Sequence, residues 1–450
     1  MKIPKVKMIA SLEIAVILFI LLLFSLANKN FSGKNFSVIV SFLVNAILII
    51  AGIIVDQKAF SLNKTFWYFN FYFLFLAPLL QYLTGYSVWS INIGDDLYIK
   101  TNGVILLCYI VYFTVNFICS NKIEEDSLIK AKVPIIEFSQ YKVLVLLLLS
   151  VFAFVFLASM ISFNGLFVRD LNGIDIGDKT TSVIVENFCR SIPVYSLGYT
   201  ILYYKKNKSG LPLILVESIL LLIVNFPASI TRYWIGLVYI GILLILFEEK
   251  IVNRRFDIFL IVVFSVIFPV FQLFKWYTLS DLISGGNIMI RLSNVYNSVD
   301  FDAYSVLART IKLTSTNGIQ YGHQVLASLF FIVPRSVWPL KPYPSGQFIA
   351  MATNQFYTNI SCPIYAEGFI DFGLIGALLY TLLLSFFIRK FDDNFWLKKD
   401  ENSYSFNRLI YPFLFGILIF LLRGSLQPVV VYSFTFFIFA IILKIWLKEK

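Results

Sequence analysis

Between Pro334 and Gly346 the chain reads Pro-Arg-Ser-Val-Trp-Pro-Leu-Lys-Pro-Tyr-Pro-Ser-Gly. Its four prolines, at 334, 339, 342 and 344, lock their own φ and push the preceding residues towards extended backbone, so the segment is stiff. Arg335 and Lys341 stand six residues apart on it, in the company of Trp338 and Tyr343. Two cations on a stiff backbone suit an anion with spread charge, such as a pyrophosphate. Arginine grips phosphate oxygens in bidentate fashion and lysine adds a point charge. The plainer alternative is a pair snorkelling to lipid headgroups, for which so many prolines are poorly suited.

Downstream, Glu367 and Asp371 follow Pro363 at the start of an apolar run. Their i, i+4 spacing sets both carboxylates on one helix face. Glu367, flanked by Tyr365, Gly368 and Phe369, is the candidate general base or sugar-hydroxyl ligand; Asp371 lies deeper and could pair with a cation. Acids in a first helical turn also serve simply as dipole partners. Arg423, in Leu-Leu-Arg-Gly-Ser, ends another apolar run, where an arginine is costly unless it faces a polar cavity or a partner. Arg232 and Arg309 are similar cases, each with helix anchoring as the alternative. His323 is the only histidine; alone it cannot build a His-rich metal site, but it could exchange a proton. Asp300-Phe-Asp302 has the form of the Asp-x-Asp metal site of nucleotide-sugar enzymes, a match too short to carry that reading. Glu13 and Glu217 fall inside apolar runs and hint at proton coupling, on thin support. No phosphate-binding glycine loop, serine elbow or zinc motif occurs. Neither a metal nor a cofactor is expected.

The elements that carry these residues belong to a membrane protein. Of 450 residues, 59% are hydrophobic and 14% charged, with a mean hydropathy of +0.81. Soluble chains run at about 45–50% apolar and about 25% charged. Intrinsic disorder is excluded by the apolar content, and a disulfide scaffold by only four Cys in so long a chain. Twelve apolar runs approach or reach the length that crosses a bilayer: 8–27, 36–55, 66–84, 102–119, 142–161, 188–204, 211–225, 231–247, 257–274, 363–388, 407–423 and 428–447. Unpaired backbone is not tolerated in lipid, so the expected fold is all-α and polytopic, with about twelve transmembrane helices. The net charge of +11 reflects basic loops on one face, not nucleic-acid binding. Those loops hold Lys58 and Lys64, Lys205 and Lys206, Lys250, Arg389 and Arg408, which puts both termini in the cytoplasm. The first run, with a basic front and Ser25 and Ala27 near its end, mimics a signal peptide but is long enough to be retained. A bridge between Cys189 and Cys362 is conceivable; buried free thiols are the expected state.

Three parts follow. Residues 1–274 form a nine-helix membrane part, 275–362 one large outer loop of 88 residues, and 363–450 a three-helix membrane part. A loop so long and so apolar is functional rather than disordered. Within it, 321–333 is too short to span and stops at Pro334, so it is read as a short helix on or dipping into the outer surface. Trp276, Tyr277, Trp338, Tyr343, Phe356, Tyr357 and Tyr365 line the loop and its exit, and could stack on sugar rings or form the interfacial aromatic belt.

The motifs Tyr-Gly-His (321–323), Pro-Arg-x-x-Trp-Pro-x-Lys-Pro…Gly (334–346), Glu-Gly-x-x-Asp-Phe-Gly-x-x-Gly (367–376) and Arg-Gly (423–424) stand in this frame. Together they resemble the Wzy-type oligosaccharide repeat-unit polymerases that make O-antigen or capsular polysaccharide. The match covers roughly 300–430, and Arg335 to Gly346 repeats the family's spacing of Arg, ten residues, Gly, in one copy where some members have two. The resemblance implies a GT-C-like, metal-independent glycosyltransferase of the bacterial inner membrane. It implies transfer of a growing glycan from undecaprenyl pyrophosphate to another lipid-linked repeat unit, with the bilayer, a chain-length regulator and a flippase as partners and no nucleic acid. The leaving group is already ionised and needs cations rather than an acid; Arg335, Lys341 and Arg423 are expected to hold it, while Glu367 or His323 takes the acceptor proton. An O-antigen ligase would share this architecture and leaving group. A lipid-linked oligosaccharide flippase would have short loops and a charged central cavity instead.

Overall fold

The computed structural model describes residues 34–90, 93–126, 136–168, 179–251, 255–268, 296–397 and 405–447. Among them the chain is helical throughout, with no strand. In order come α1 (Phe36–Val55), α2 (62–84), α3 (Asp95–Asp126), α4 (Gln140–Gly165), α5 (Lys179–Asn207), α6 (Leu211–Val224), α7 (Arg232–Phe247) and α8 (255–267). Then come α9 (Ala303–Asn317), α10 (His323–Leu329), α11 (Ser345–Ala352), α12 (Ile364–Leu397), α13 (Phe406–Arg423) and α14 (Leu426–Leu447). Six of these, α1, α3, α4, α12, α13 and α14, are long and apolar enough to cross a membrane. Every described stretch of the twelve apolar runs is largely helical, but α6 and α7 are short, and α2 and α5 are not among the six. The run 8–27, residues 269–274 of the ninth, Trp276, Tyr277 and Glu13 lie outside the described residues.

Two apolar cores organise the helices. The first surrounds α2, whose aromatic run from Phe66 to Phe75 is almost wholly buried and is widened into a π-helical turn over Phe71–Leu76. Ser61 caps α2 by accepting from the Lys64 N–H at 2.9 Å. Gly52 of α1 leaves no room for a Cβ because the Trp67 ring occupies that space. The second core packs α4, α6, α7 and α14 about α5, through Tyr195, Tyr199, Trp234 and Phe436. Helix α13 contributes to both. Cys108, Cys189 and Cys362 are buried free thiols. Glu217 is buried against Thr200, whose hydroxyl donates to it at 3.1 Å.

Charge gathers at the two ends of this bundle. At one end Lys58 meets Asp393 at 3.0 Å, Lys64 meets Asp257 at 3.0 Å, and Arg408 meets Glu248 at 3.2 Å. Arg389 also pairs with Asp393 there. Asp392 accepts from the N–H groups of Leu62 and Asn63 at 2.9 and 3.1 Å and from the Tyr411 hydroxyl at 2.5 Å. At the other end stand Arg232, Arg423, Asp300 and Asp302. From Arg408 to Arg423, α13 climbs about 22 Å at 1.5 Å per residue, comparable with a hydrocarbon core of about 30 Å. Basic residues that the sequence assigns to one face, Lys58, Lys64, Arg389 and Arg408, therefore share one layer.

Removing one member of a buried ion pair costs about 3–5 kcal/mol. Asp392, 3.9 Å from Lys58 Nζ, is such a member. Asp392→Ala strips two helix-end N–H groups and a tyrosine of their acceptor as well, and is expected to lower the unfolding midpoint of the detergent-solubilised chain by several degrees or abolish the folded monomer peak. An unchanged midpoint by scanning fluorimetry would remove this carboxylate from the structural framework.

Candidate functional site

Helix α10 has only seven residues, too few to be stable alone. It is held from outside. Asp371 accepts from the N–H groups of Gln324 and Val325 at 3.0 and 2.9 Å, satisfying donors that a helix start leaves orphaned. The Gln320 N–H adds a bond to Ile370 O at 2.8 Å. Asp371 can do this because α12 is not straight. The chain breaks at Phe372–Gly373, where Gly373 adopts φ 62°, and Gly368 and Gly376 come so close that a Cβ on either would meet the other's backbone. The expected continuous helix at 363–388 is thus a short arm carrying Glu367 and Asp371, followed by the longer span.

Glu367, 1% exposed, takes the Leu426 N–H at the start of α14 and the Ser345 hydroxyl, each at 2.7 Å. One carboxylate therefore caps α14 and fastens α11. Gly346 completes the joint: its N–H donates to Ser425 Oγ at 2.9 Å, and the Ile360 and Ser361 carbonyls fill the place of a Cβ. Glu367 and Asp371 share an arm but address different helices. His323 stands exposed at the first turn of α10.

The proline-rich segment closes on itself. Lys341, 6% exposed, donates to Phe331 O and Val333 O at 2.7 and 2.9 Å, beyond the end of α10. The Arg335 guanidinium donates to the carbonyls of Lys341 and Pro342, the latter at 3.0 Å, and lies 4.2 Å above the Tyr343 ring. Trp338 sits inside the loop, its N–H on Pro334 O at 3.0 Å. Lys341 is spent on local backbone, whereas Arg335 bonds local backbone but stands exposed.

Two other arginines converge from distant parts of the chain on Asp300 and Asp302, and a third, Arg309, lies close enough to feel the Asp302 charge. Arg232 Nη1 donates to Asp300 Oδ1 at 3.2 Å. Arg423 Nε donates to Asp300 O at 3.1 Å, and its Nη2 lies 3.8 Å from Asp300 Oδ1 and 3.6 Å from Asp302 Oδ1. Arg309, 3% exposed, donates through Nη2 to Val88 O at 3.0 Å. Burial pushes its guanidinium down to about 10, against the opposing pull of Asp302. Asp302 Oδ2 accepts from Trp89 Nε1 at 3.0 Å and from the Ser361 N–H at 3.2 Å, while Oδ1 accepts no hydrogen bond among the described residues. The side chains of Arg232 and Arg423 are 43% and 29% exposed, so both remain within reach of a ligand.

The structure thus joins Arg232, Arg309 and Arg423 in one cluster. The cluster connects through the Arg423-Gly424-Ser425 turn to Gly346 and Glu367, with the Cys362 N–H on Arg423 O at 3.0 Å. Arg335, Lys341, Trp338 and Tyr343 form a separate, self-bonded loop. Sequence reasoning passed over Trp89, Ser345, Ser361 and Ser425 and discounted Asp302. Only the Arg-Gly-Ser and Pro-Ser-Gly strings hint at two of the serines; nothing local marks Trp89.

The capping role of Glu367 makes a test. Glu367→Gln keeps an acceptor for the Leu426 N–H and should retain most of the thermal stability, whereas Glu367→Ala should lose about 1–3 kcal/mol from an unsatisfied buried donor. A Glu367→Gln chain that folds like the wild type yet is inert would return this residue to the chemistry.

Compared with protein-family models, with curated proteins and with solved structures, the chain matches none.

Proposed function

We propose that this chain is a membrane glycosyltransferase that polymerises undecaprenyl-pyrophosphate-linked repeat units into O-antigen or capsular polysaccharide. In this reading it has about twelve spans in a GT-C-like arrangement, sits in the bacterial inner membrane with cytoplasmic termini, and works at the outer face. The observation that carries the reading is the reachable arginine pair, Arg232 and Arg423, meeting on one carboxylate, Asp300, with Arg309 behind it. Three cations against two carboxylates leave a local excess of positive charge at a polar end of an apolar bundle, the charge balance an ionised lipid pyrophosphate requires.

In the proposed reaction the bond between the donor sugar's anomeric carbon and the pyrophosphate oxygen breaks, and the electron pair leaves with the lipid pyrophosphate. Arg232 and Arg423 take up the developing charge by turning part of their hydrogen bonding from Asp300 to the phosphate oxygens. An acceptor sugar hydroxyl forms the new bond to the anomeric carbon and gives up its proton. Asp302 is the proposed acceptor of that proton. One of its oxygens is fixed by Trp89 and Ser361, and the other accepts no hydrogen bond among the described residues and is ion-paired with Arg423 Nη2 at 3.6 Å. Glu367 and Asp371, with their oxygens committed to helix ends, hold the frame. Arg335 and Lys341 brace the proline-rich loop beside it.

The test is the length distribution of surface glycan in a deletion strain complemented with variants. Deletion should leave single repeat units attached; loss of all surface glycan would favour a flippase or a ligase instead. Charge-assisted bonds are worth about 1.5–3 kcal/mol each and about 1.36 kcal/mol is tenfold in rate, so Arg423→Ala and Arg232→Ala should each slow polymerisation about ten- to hundredfold at normal protein level. Asp302→Asn should cost about 10²–10⁴-fold. Full ladders from all three variants would overturn the assignment.

A further inference from the structure

We infer that the turn before α3 and the segment before α12 together form a sugar-binding subsite for the acceptor glycan, with Trp89 and Tyr357 as its platform and Asp302 and Arg309 at its polar edge. The inference rests on the glycosyltransferase reading and adds to it the place where the second substrate lies.

Trp89 has φ 58° and ψ 28°, the left-handed region that a bulky L-residue adopts only when its surroundings impose it. Two polar side chains of the arginine cluster impose it here. Asp302 takes the indole N–H at 3.0 Å, and Arg309 donates to the neighbouring Val88 carbonyl at 3.0 Å. The indole so placed stacks on Tyr357, ring centroids 5.4 Å apart and planes 16° from parallel. The pair stands at the edge of the first core, against which Trp89 packs: Trp89 is half-buried and Tyr357 is 48% exposed. Two parallel rings held open to the outside present a flat apolar surface.

The polar edge of that surface is unsaturated. Arg309 Nε and Nη1, Asp302 Oδ1 and Ser361 Oγ are buried and have no hydrogen-bond partner among the described residues. Buried polar groups are rarely left so, and the exceptions point to a ligand. A single partner for Arg309 and Asp302 must accept from a guanidinium and donate to a carboxylate, since Arg309 feels the charge of Asp302. In direct contact with Asp302 Oδ1 a phosphate, unlike one on the far side of Arg423, would meet a like charge, and a cation would meet Arg309 and Arg423. An acyl chain would leave every one of these atoms unpaired. A hydroxyl both donates and accepts, and a ring with an apolar face and hydroxyl edges is a sugar. Asp302 Oδ1 also lies 3.6 Å from Arg423 Nη2, so a hydroxyl bound there stands beside the phosphate clamp, where an attacking group belongs.

The experiment uses the purified full chain in detergent. It is titrated by calorimetry with the free oligosaccharide released from the host's surface glycan by mild acid, and separately with inorganic pyrophosphate. The wild type should bind the oligosaccharide. Tyr357→Ala removes an exposed ring and should weaken oligosaccharide binding at least tenfold while leaving pyrophosphate affinity at the wild-type value, which reports an intact fold. Trp89→Phe, which keeps a ring but loses the bond to Asp302, should fall between wild type and Trp89→Ala. Wild-type oligosaccharide affinity in Tyr357→Ala and Trp89→Ala, or no binding to the wild type, overturns the subsite. Tyr357-dependent oligosaccharide binding by a chain whose deletion leaves the glycan ladder intact upholds the subsite and sinks the polymerase reading instead.

Discussion

A backbone N–H at a helix end must find an acceptor, and in an apolar surrounding there is little water to supply one. Glu367 and Asp371 meet that demand for two helices from one short arm. Glu367 closes the start of α14 and Asp371 the start of α10. The reversal at Phe372–Gly373 makes this possible, and two glycines in backbone contact make the reversal possible. Around that joint the remaining pieces fall into place: Ser345 on Glu367, Gly346 on Ser425, and Arg423 one turn earlier, its carbonyl receiving the Cys362 N–H. The position of Arg423 thus depends on a carboxylate, Glu367, that fastens two neighbouring helices.

The arginines divide by what they meet. Arg335 spends its guanidinium on carbonyls six and seven residues away, and buried Lys341 spends its ammonium in the same way. Such contacts stiffen a loop that four prolines already restrict. Arg232 and Arg423 come from separate helices and meet Asp300 and Asp302, so their placement is a property of the assembled bundle. A cation held by one shared carboxylate and left partly exposed keeps donors available for an incoming anion. Lys341, sealed on neutral carbonyls, does not.

Helix positions were legible because an apolar run of membrane length leaves the backbone no alternative. Thus α1, α3, α4, α13 and α14 fall close to where hydropathy puts them. The short helix α10 was legible too, from an apolar stretch halted by Pro334. What was not legible were the partners. Lys341 and Arg423 look equally available in a string of letters, yet one is buried on carbonyls and the other reaches Asp300 from 123 positions along the chain. Trp89 had no signal at all, since its role depends on residues 213 and 268 positions further on, Asp302 and Tyr357.

The sequence by itself determined a helical chain with membrane-spanning character, a basic face, and the set of arginines and acids from which a site could be drawn. Those follow from hydropathy and charge, which act residue by residue. Only the tertiary structure decided which of those ions pair, which cap helices and which stay reachable. A hydrogen bond needs its partner within about 3 Å, and only packing across the bundle brings the partner there.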